Sequence, residues 1–109
     1  MASYNKTILI GRVNGMSELK KNTKGIEYLT LGILNSDVKG GKEVTLQHKV
    51  TCFGKQAILV EKEITKGDLM CIEGRLSIEP NEDEGQGVTI VAERITFLSH
   101  KRKQEERAE

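Results

Sequence analysis

The sequence predicts one all-β domain with a single short helix between its third and fourth strands. The chain has 109 residues, a length that fits one domain and leaves no room for a second. Short apolar runs rich in β-branched residues alternate with clusters of Gly, Asn, Asp and Ser, which is the pattern of strands and turns. Only residues 55–64 combine strong helix formers with the absence of a helix breaker.

The first predicted strand, residues 6–13, is apolar on both faces at its centre. Ile8 and Ile10 share one face, and Leu9 lies on the other. A half-exposed strand alternates apolar and polar residues, so we expect both faces of this strand to be covered, either by the rest of the domain or by a second subunit. Residues 14–25, which contain Gly, Asn and three Lys, are predicted to form a loop with a basic tip.

The second predicted strand covers residues 26–34 and the third covers residues 43–53. Both alternate apolar and polar side chains, so each is expected to bury one face. In the third strand, Val50 and Cys52 belong to the apolar face. Residues 35–42 contain Asn, Ser, Asp and a Gly pair and are predicted to form a loop.

The second half of the chain is predicted to complete a small barrel. In its first strand, Met70, Ile72, Leu76 and Ile78 are expected to face inward. The resulting order, β-β-β-α-β-β, is that of the five-stranded OB barrel, whose nucleic-acid face is formed by strands two and three and by the loops joining strands 1–2 and 4–5. We expect this domain to occupy residues 1–99. The predicted elements are a helix over residues 55–64, a strand over 69–78, a polar loop over 79–87, a strand over 88–98 and a charged tail over 100–109.

Charge is distributed unevenly along the chain. The net charge is +1, yet the first 60 residues carry nine Lys or Arg and four acidic residues, which leaves the remainder with a net charge of −4. A chain of this kind can present one positive face while it stays near neutral as a whole.

Cys52 and Cys71 lack neighbouring Cys or His at the spacing of a metal site and are predicted to be free thiols, which is typical of a reducing compartment. No metal or other cofactor is expected. No apolar run approaches the roughly 18 residues of a membrane span, and no signal-peptide pattern is present. The expected location is therefore the cytoplasm, without a membrane partner.

Several segments resemble the bacterial single-stranded DNA-binding protein family: NKTILIG at residues 5–11, HKVTCFGK at 48–55 and LMCIEGRL at 69–76. The resemblance covers residues 1 to about 99. It implies an OB fold that binds single-stranded DNA without sequence specificity in replication, recombination or repair, and that assembles as a homotetramer.

The resemblance also implies that the first strands pair across a dimer interface, in agreement with the apolar Ile8, Leu9 and Ile10. It places His48 at a subunit contact, and a partly buried imidazole satisfied within its own chain is the alternative for that residue.

The sequence departs from the family pattern at the aromatic residues on which bases stack. The corresponding positions hold Asp37, Gln47 and Asn81, and only Phe53 is retained. Because stacking contributes about 1–3 kcal/mol per base, these losses are expected to weaken binding. The predicted loop at residues 79–87 adds four acidic side chains, which repel phosphates if they lie over the groove.

Strict alternation places Phe53 on the polar face of the third strand with Lys49, where a ring can stack on a base and an ammonium can bind a phosphate. A role in the core is the alternative for Phe53. Tyr28, on the polar face of the neighbouring strand, is a second candidate ring, with packing at the barrel rim as its alternative. Further candidate phosphate contacts, for which solvated surface charge is the alternative, are Lys20, Lys21, Lys24, Lys55 and Arg75.

The sequence does not favour an enzyme. Neither His48 nor His100 has an evident nucleophile or carboxylate partner, and no phosphate-binding Gly-rich loop is present. The predicted function is non-catalytic binding of single-stranded DNA by a homo-oligomer. Two alternatives remain: an OB-fold protein–protein module of a replication or restart complex with weak nucleic-acid affinity, and RNA binding, because such grooves accept either polymer.

Overall fold

The computed structural model describes residues 3–81 and 85–99. Within them, five long strands and one helix follow the predicted order, and a two-residue strand is added after the first. The elements are β1 (Thr7–Met16), β2 (Lys20–Lys21), β3 (Glu27–Lys39), β4 (Lys42–Phe53), α1 (Gly54–Glu63), β5 (Leu69–Asn81) and β6 (Gly85–Ser99).

The long strands close into a barrel. Neighbours run in the order β1-β5-β6-β4-β3, and β1 closes the ring by pairing with β3 as well as with β5. All pairs are antiparallel except β4 and β6, which meet in parallel at Val50 and Thr51. The helix lies between β4 and β5, which are the third and fourth long strands. A closed five-stranded ring with its helix in this place confirms the predicted OB fold.

Alternate side chains of the strands fill the barrel, as the period of two predicts. The helix covers one end of this core with Ala57 and Val60, the two side chains of α1 that are buried. Each large aliphatic side chain buried in this way stabilises the fold by roughly 1.5–3 kcal/mol relative to exposure. The largest fully buried apolar side chains are Leu29, Leu31, Ile33, Val50, Val60, Met70 and Ile72.

Gly11 marks the point where β1 leaves β5 and turns to β3. A Cβ atom on Gly11 would overlap the carbonyl oxygen of Leu34, so the two backbones pass too closely for any larger residue. Gly74 has the same role against the carbonyl of Val91, beside the irregularity in the β5–β6 pairing. Both sites follow the rule that glycine in a strand marks a bend or a close backbone approach.

Two predicted loops are strands in the structure. Residues 35–42 continue β3 and β4 as a hairpin that ends in a two-residue turn, with φ of +58° at Gly40 and +81° at Gly41. Positive φ at both central residues gives the turn a twist that matches the strands, and glycine adopts it without strain. Residues 79–87 likewise pair up to Asn81 and Gly85, whereas residues 82–84 and the predicted tail at 100–109 lie outside the described residues.

Three further expectations are corrected. The predicted loop at residues 14–25 is shorter, because β1 runs to Met16 and β2 pairs with the start of β3. Leu76 and Ile78 are 48% and 65% exposed, since β5 and β6 extend beyond the barrel as a two-stranded ribbon. Leu9 lies in the core of its own chain, so its side chain is covered by its own domain and not by a second subunit.

Candidate nucleic-acid interface

The outer face of β3 and β4 carries the aromatic pair that the sequence singled out. Tyr28 lies directly opposite Phe53 across the two strands, and residues paired in this way share one face of a sheet. Their ring centroids are 6.1 Å apart and the ring planes are tilted by 34°. Phe53 is 39% exposed, which places its ring outside the core. The structure therefore favours the surface location of Phe53 over the core alternative.

The local chain path explains why Phe53 stays at the surface. It is the last residue of β4 and the extended residue that precedes α1. The chain then turns at Gly54, whose φ of +67° suits glycine, and continues into the helix. The ring is thus held at the end of a strand by a turn instead of being drawn beneath the helix.

A shallow hollow of about 420 Å³ surrounds the two rings. Lys49 lies at its edge and also lines a second hollow of about 350 Å³, formed beside Gly32 and Gln47. Thr30 is likewise common to both hollows, so they form one groove across β3 and β4. The first hollow is lined by Asn22, Tyr28, Thr30, Lys49, Thr51, Phe53 and Thr89.

Gly32 keeps the second hollow open. It pairs with Lys49, and a Cβ atom there would come within 3.2 Å of the Gln47 amide nitrogen. Because Gln47 is an amide and not a ring, this part of the groove offers hydrogen bonds and little stacking surface. The groove therefore has an aromatic part and a polar part, with Lys49 between them.

The structure brings together only some of the predicted cations. Lys49 is exposed in the groove, and Lys20 lies opposite Tyr28 on the same sheet face. Lys21 is opposite Glu27 and therefore belongs to the other face of the sheet. Lys24 is exposed in the turn that follows β2, at the end of the groove nearest Asn22.

Lys55 and Arg75 lie away from the two hollows. Lys55 is exposed on α1. Arg75 is on β5, where its Nε lies 3.7 Å from a carboxylate oxygen of Glu93, with both side chains about half exposed. A half-exposed pair of this kind contributes little to stability because water screens it. Neither side chain lines a hollow, so the predicted phosphate contacts of these two cations stay predictions.

A second surface contains the predicted oligomer contacts. Ile8 and Ile10 are 64% and 52% exposed on the outer face of β1, opposite Glu73 and Cys71 of β5. Residues 7–11 of β1 pair with β5 along one edge, and their other edge has no strand partner among the described residues. An unpaired edge beside exposed isoleucines is a surface that can accept another strand.

His48 is half-buried on the face of β4 opposite to that of Lys49. One ring nitrogen, Nε2, lies 3.1 Å from Oδ1 of Asn35 on the neighbouring strand. Asn35 and Ile10 both line a hollow of about 490 Å³. The imidazole therefore has a partner within its own chain and also lies close to the surface that carries Ile10.

The two cysteines are free thiols in the structure. Burial raises the pKa of Cys52 to about 12, because the interior disfavours a thiolate, so this thiol is unreactive at neutral pH. Cys71 is half-buried on the outer face of β5. Among residues 3–81 and 85–99, no cluster of His, Cys, Asp and Glu has the arrangement of a metal site.

Sequence reasoning missed several residues of the groove. Asn22 was treated only as part of a loop, although an Asn beside a Gly-containing turn is a signal for side-chain capping of that turn. Thr30 and Thr51 could have been found, because they share the polar face with Tyr28 and Phe53. Thr89 comes from β6 and reaches the groove only through the parallel contact with β4, which no local pattern encodes.

The ring of strands and its exposed aromatic and basic groove define an OB-fold protein of the kind that holds its ligand on the outer face of two neighbouring strands. The chain belongs to the single-strand binding protein family, whose sequence profile matches residues 4–98.

Relatives agree with this assignment. A single-stranded DNA-binding protein from Helicobacter hepaticus is 32% identical over 108 residues, with 90% of this chain and 63% of the relative covered. Single-stranded DNA-binding protein 1 from Staphylococcus aureus strain MSSA476 is 34% identical over 105 residues, with 89% and 67% covered. The chain thus spans about two thirds of the length of these relatives.

Solved structures give the same fold. The single-stranded DNA-binding protein from Thermus aquaticus superposes with a TM-score of 0.76 at 27% identity, over 90% of this chain and 52% of that one. PriB from Ralstonia solanacearum superposes with a TM-score of 0.72 at 12% identity, over 89% of this chain and all of that one. The second match shows the shared fold alone. No helix in the described part of the chain is long and apolar enough to span a membrane.

Proposed function

We propose that the chain binds single-stranded DNA without sequence specificity, as a homo-oligomer, and serves replication, recombination or repair without a catalytic step. The observation that carries the proposal is the exposed pair of Tyr28 and Phe53 with Lys49 beside it, in one groove on β3 and β4. Family membership and the printed names of the relatives support the same ligand.

The groove supplies the two interactions that single-strand binding needs. A base can stack on an exposed ring whatever its identity, which contributes about 1–3 kcal/mol per base without sequence preference. Lys49 and Lys20 lie on the same face as the rings, where an ammonium can neutralise a phosphate and release counterions. Bases paired in a duplex are stacked on one another, so the groove favours a strand whose bases are free.

Titration of a fluorescently labelled dT oligonucleotide at low salt tests this function. We expect saturable binding. Unlabelled single strands of different sequence should displace the labelled strand equally well, and duplex should displace it weakly. A protein–protein module would show little binding under the same conditions. Competition by a matched RNA oligonucleotide measures whether the groove prefers DNA.

The homo-oligomer is proposed from β1. Its free edge at residues 7–11 can pair with the same edge of a second copy, which would cover Ile8 and Ile10. Light scattering tests this directly: Ile10→Lys is expected to lower the molar mass to that of a single chain, because a charge on the covered face has no partner. Ile58→Lys on α1, where Ile58 is 41% exposed, is the matched control and should leave the mass unchanged.

The proposed location is the cytoplasm. The two free thiols, one of them fully buried, fit a reducing compartment.

A further inference from the structure

The side chain of Asn22 is held in one orientation by the turn that follows β2. Its Oδ1 accepts hydrogen bonds from the backbone N–H of Lys24 at 2.9 Å and of Ile26 at 3.0 Å. The backbone of Asn22 closes the same turn, since its N–H donates to the carbonyl of Ile26 at 3.0 Å and its carbonyl accepts from Gly25 at 2.9 Å. Four hydrogen bonds therefore fix both the residue and the direction of its amide.

This arrangement assigns the two ends of the amide without ambiguity. Only the oxygen of a side-chain amide can accept hydrogen bonds, and here it accepts two from the backbone, which is its full capacity. The NH₂ group can only donate, and it has no hydrogen-bond partner among the described residues. Asn22 is half-buried and lines the hollow that contains Tyr28 and Phe53. The polar group it has left to offer is a donor.

A fixed donor differs physically from the lysines of the groove. It carries no charge, so its contact with a ligand releases no counterions and is insensitive to salt. It is also held in place before binding, and little side-chain entropy is lost when it engages a ligand. Its partner must be an acceptor, and the main acceptors of a thymidine nucleotide are the carbonyl oxygens of its base and the oxygens of its phosphate.

We propose that Asn22 is a ligand-binding residue of the groove, whose amide nitrogen donates a hydrogen bond to an acceptor oxygen of the nucleotide stacked on Phe53 and Tyr28. This inference rests on the proposed binding of single-stranded DNA. It adds to that function a neutral contact at one defined nucleotide, beside the stacking and phosphate contacts that operate along the whole strand.

The test removes the donor and keeps the turn. In Asn22→Ser the hydroxyl can still accept from the backbone N–H groups of the turn, and the amide donor is gone. We expect binding of a dT oligonucleotide to weaken roughly two- to tenfold, the range for loss of one neutral hydrogen bond, with the salt dependence unchanged. Asn22→Asp preserves both accepted bonds and replaces the donor with a charge, so the loss should be larger. Leu59→Asp, at an exposed position of α1 outside both groove hollows, controls for the added charge.

Two ligands identify the source of the acceptor oxygen. If the penalty of Asn22→Ser is lost on an abasic strand of the same length, the partner is a base carbonyl; if it persists, the partner is a phosphate oxygen. Either result supports the donor. The inference is overturned if Asn22→Ser binds both strands as tightly as the parent while Phe53→Ala is weakened. Binding that neither substitution affects would instead overturn the proposed function of the groove.

Discussion

Replacement of Phe53 by Ala is expected to weaken single-stranded DNA binding and to leave the barrel folded. Truncation of a fully buried Phe costs about 3–5 kcal/mol of stability. Phe53 is 39% exposed and lies at the end of β4, so we expect a smaller cost of about 1–2 kcal/mol. The loss of one stacking platform costs about 1–3 kcal/mol in binding, which corresponds to an increase in Kd of roughly 5- to 150-fold.

Fluorescence anisotropy with a labelled dT oligonucleotide at fixed low salt measures the change in Kd, and a thermal melt of the same sample measures stability. Tyr28→Ala gives the comparison within the pair. Because the two centroids are 6.1 Å apart, both rings can contact one base, and the double substitution should then cost less than the sum of the two single ones. If Phe53→Ala is unfolded, the ring has a packing role in the core instead of a binding role. A folded variant with unchanged Kd would show that the ring does not touch the strand.

Three other substitutions test separate parts of the account. Lys49→Ala should lower the slope of log K against log salt by about 0.7, the value for one phosphate of a single strand, whereas Lys66→Ala, in the turn after α1, should leave the slope unchanged. Gly11→Ala should lower the free energy of unfolding by about 1–3 kcal/mol in a denaturant titration, because its Cβ would overlap a carbonyl of β3, while Gly15→Ala, which meets no atom within 4 Å, should not. The pKa of Cys52 is raised from 9.0 to about 12 in the folded protein. As the pH rises, the thiol therefore loses its proton in the unfolded chain before it does so in the folded chain. The stability that the neutral thiol contributes is present below pH 9 and declines from pH 9 to 12. Cys52→Ala should remove that decline without affecting other alkaline transitions, and an unchanged pH profile would contradict the assignment.

The barrel was predictable because its strands follow the simplest pattern that sequence offers. Leu29, Leu31 and Ile33 alternate with polar neighbours, and all three are fully buried. The helix was equally clear, since residues 55–64 lack a breaker and Gly67 follows them. These elements depend on local periodicity and on burial against one core.

The two hairpin extensions were not predictable in the same way. Residues 35–42 read as a loop because they are polar on both faces. A two-stranded ribbon that projects from a barrel is exposed on both faces, so polarity does not distinguish it from a loop. The Gly40-Gly41 pair was the signal, because it fits a two-residue turn with positive φ at both positions.

The candidate site was found in part for a related reason. Phe53, Lys49 and Tyr28 lie on the polar face of two predicted strands, so alternation alone placed them together. Arg75 also occupies a polar face, but it lies on β5, two strands away from β4, and forms an ion pair with Glu93 instead of lining the hollows. Which outer faces are neighbours depends on strand order around the ring, and that order is a tertiary property.

A salt titration of binding to a labelled dT oligonucleotide tests most directly whether this face of the barrel holds a single strand. With Lys49 and Lys20 beside the rings, the logarithm of the association constant should fall linearly with the logarithm of salt concentration. The slope should be about −1.4, the value for two phosphates of a single strand, or steeper. Absence of binding at the lowest salt, or an affinity that salt does not change, would contradict the account.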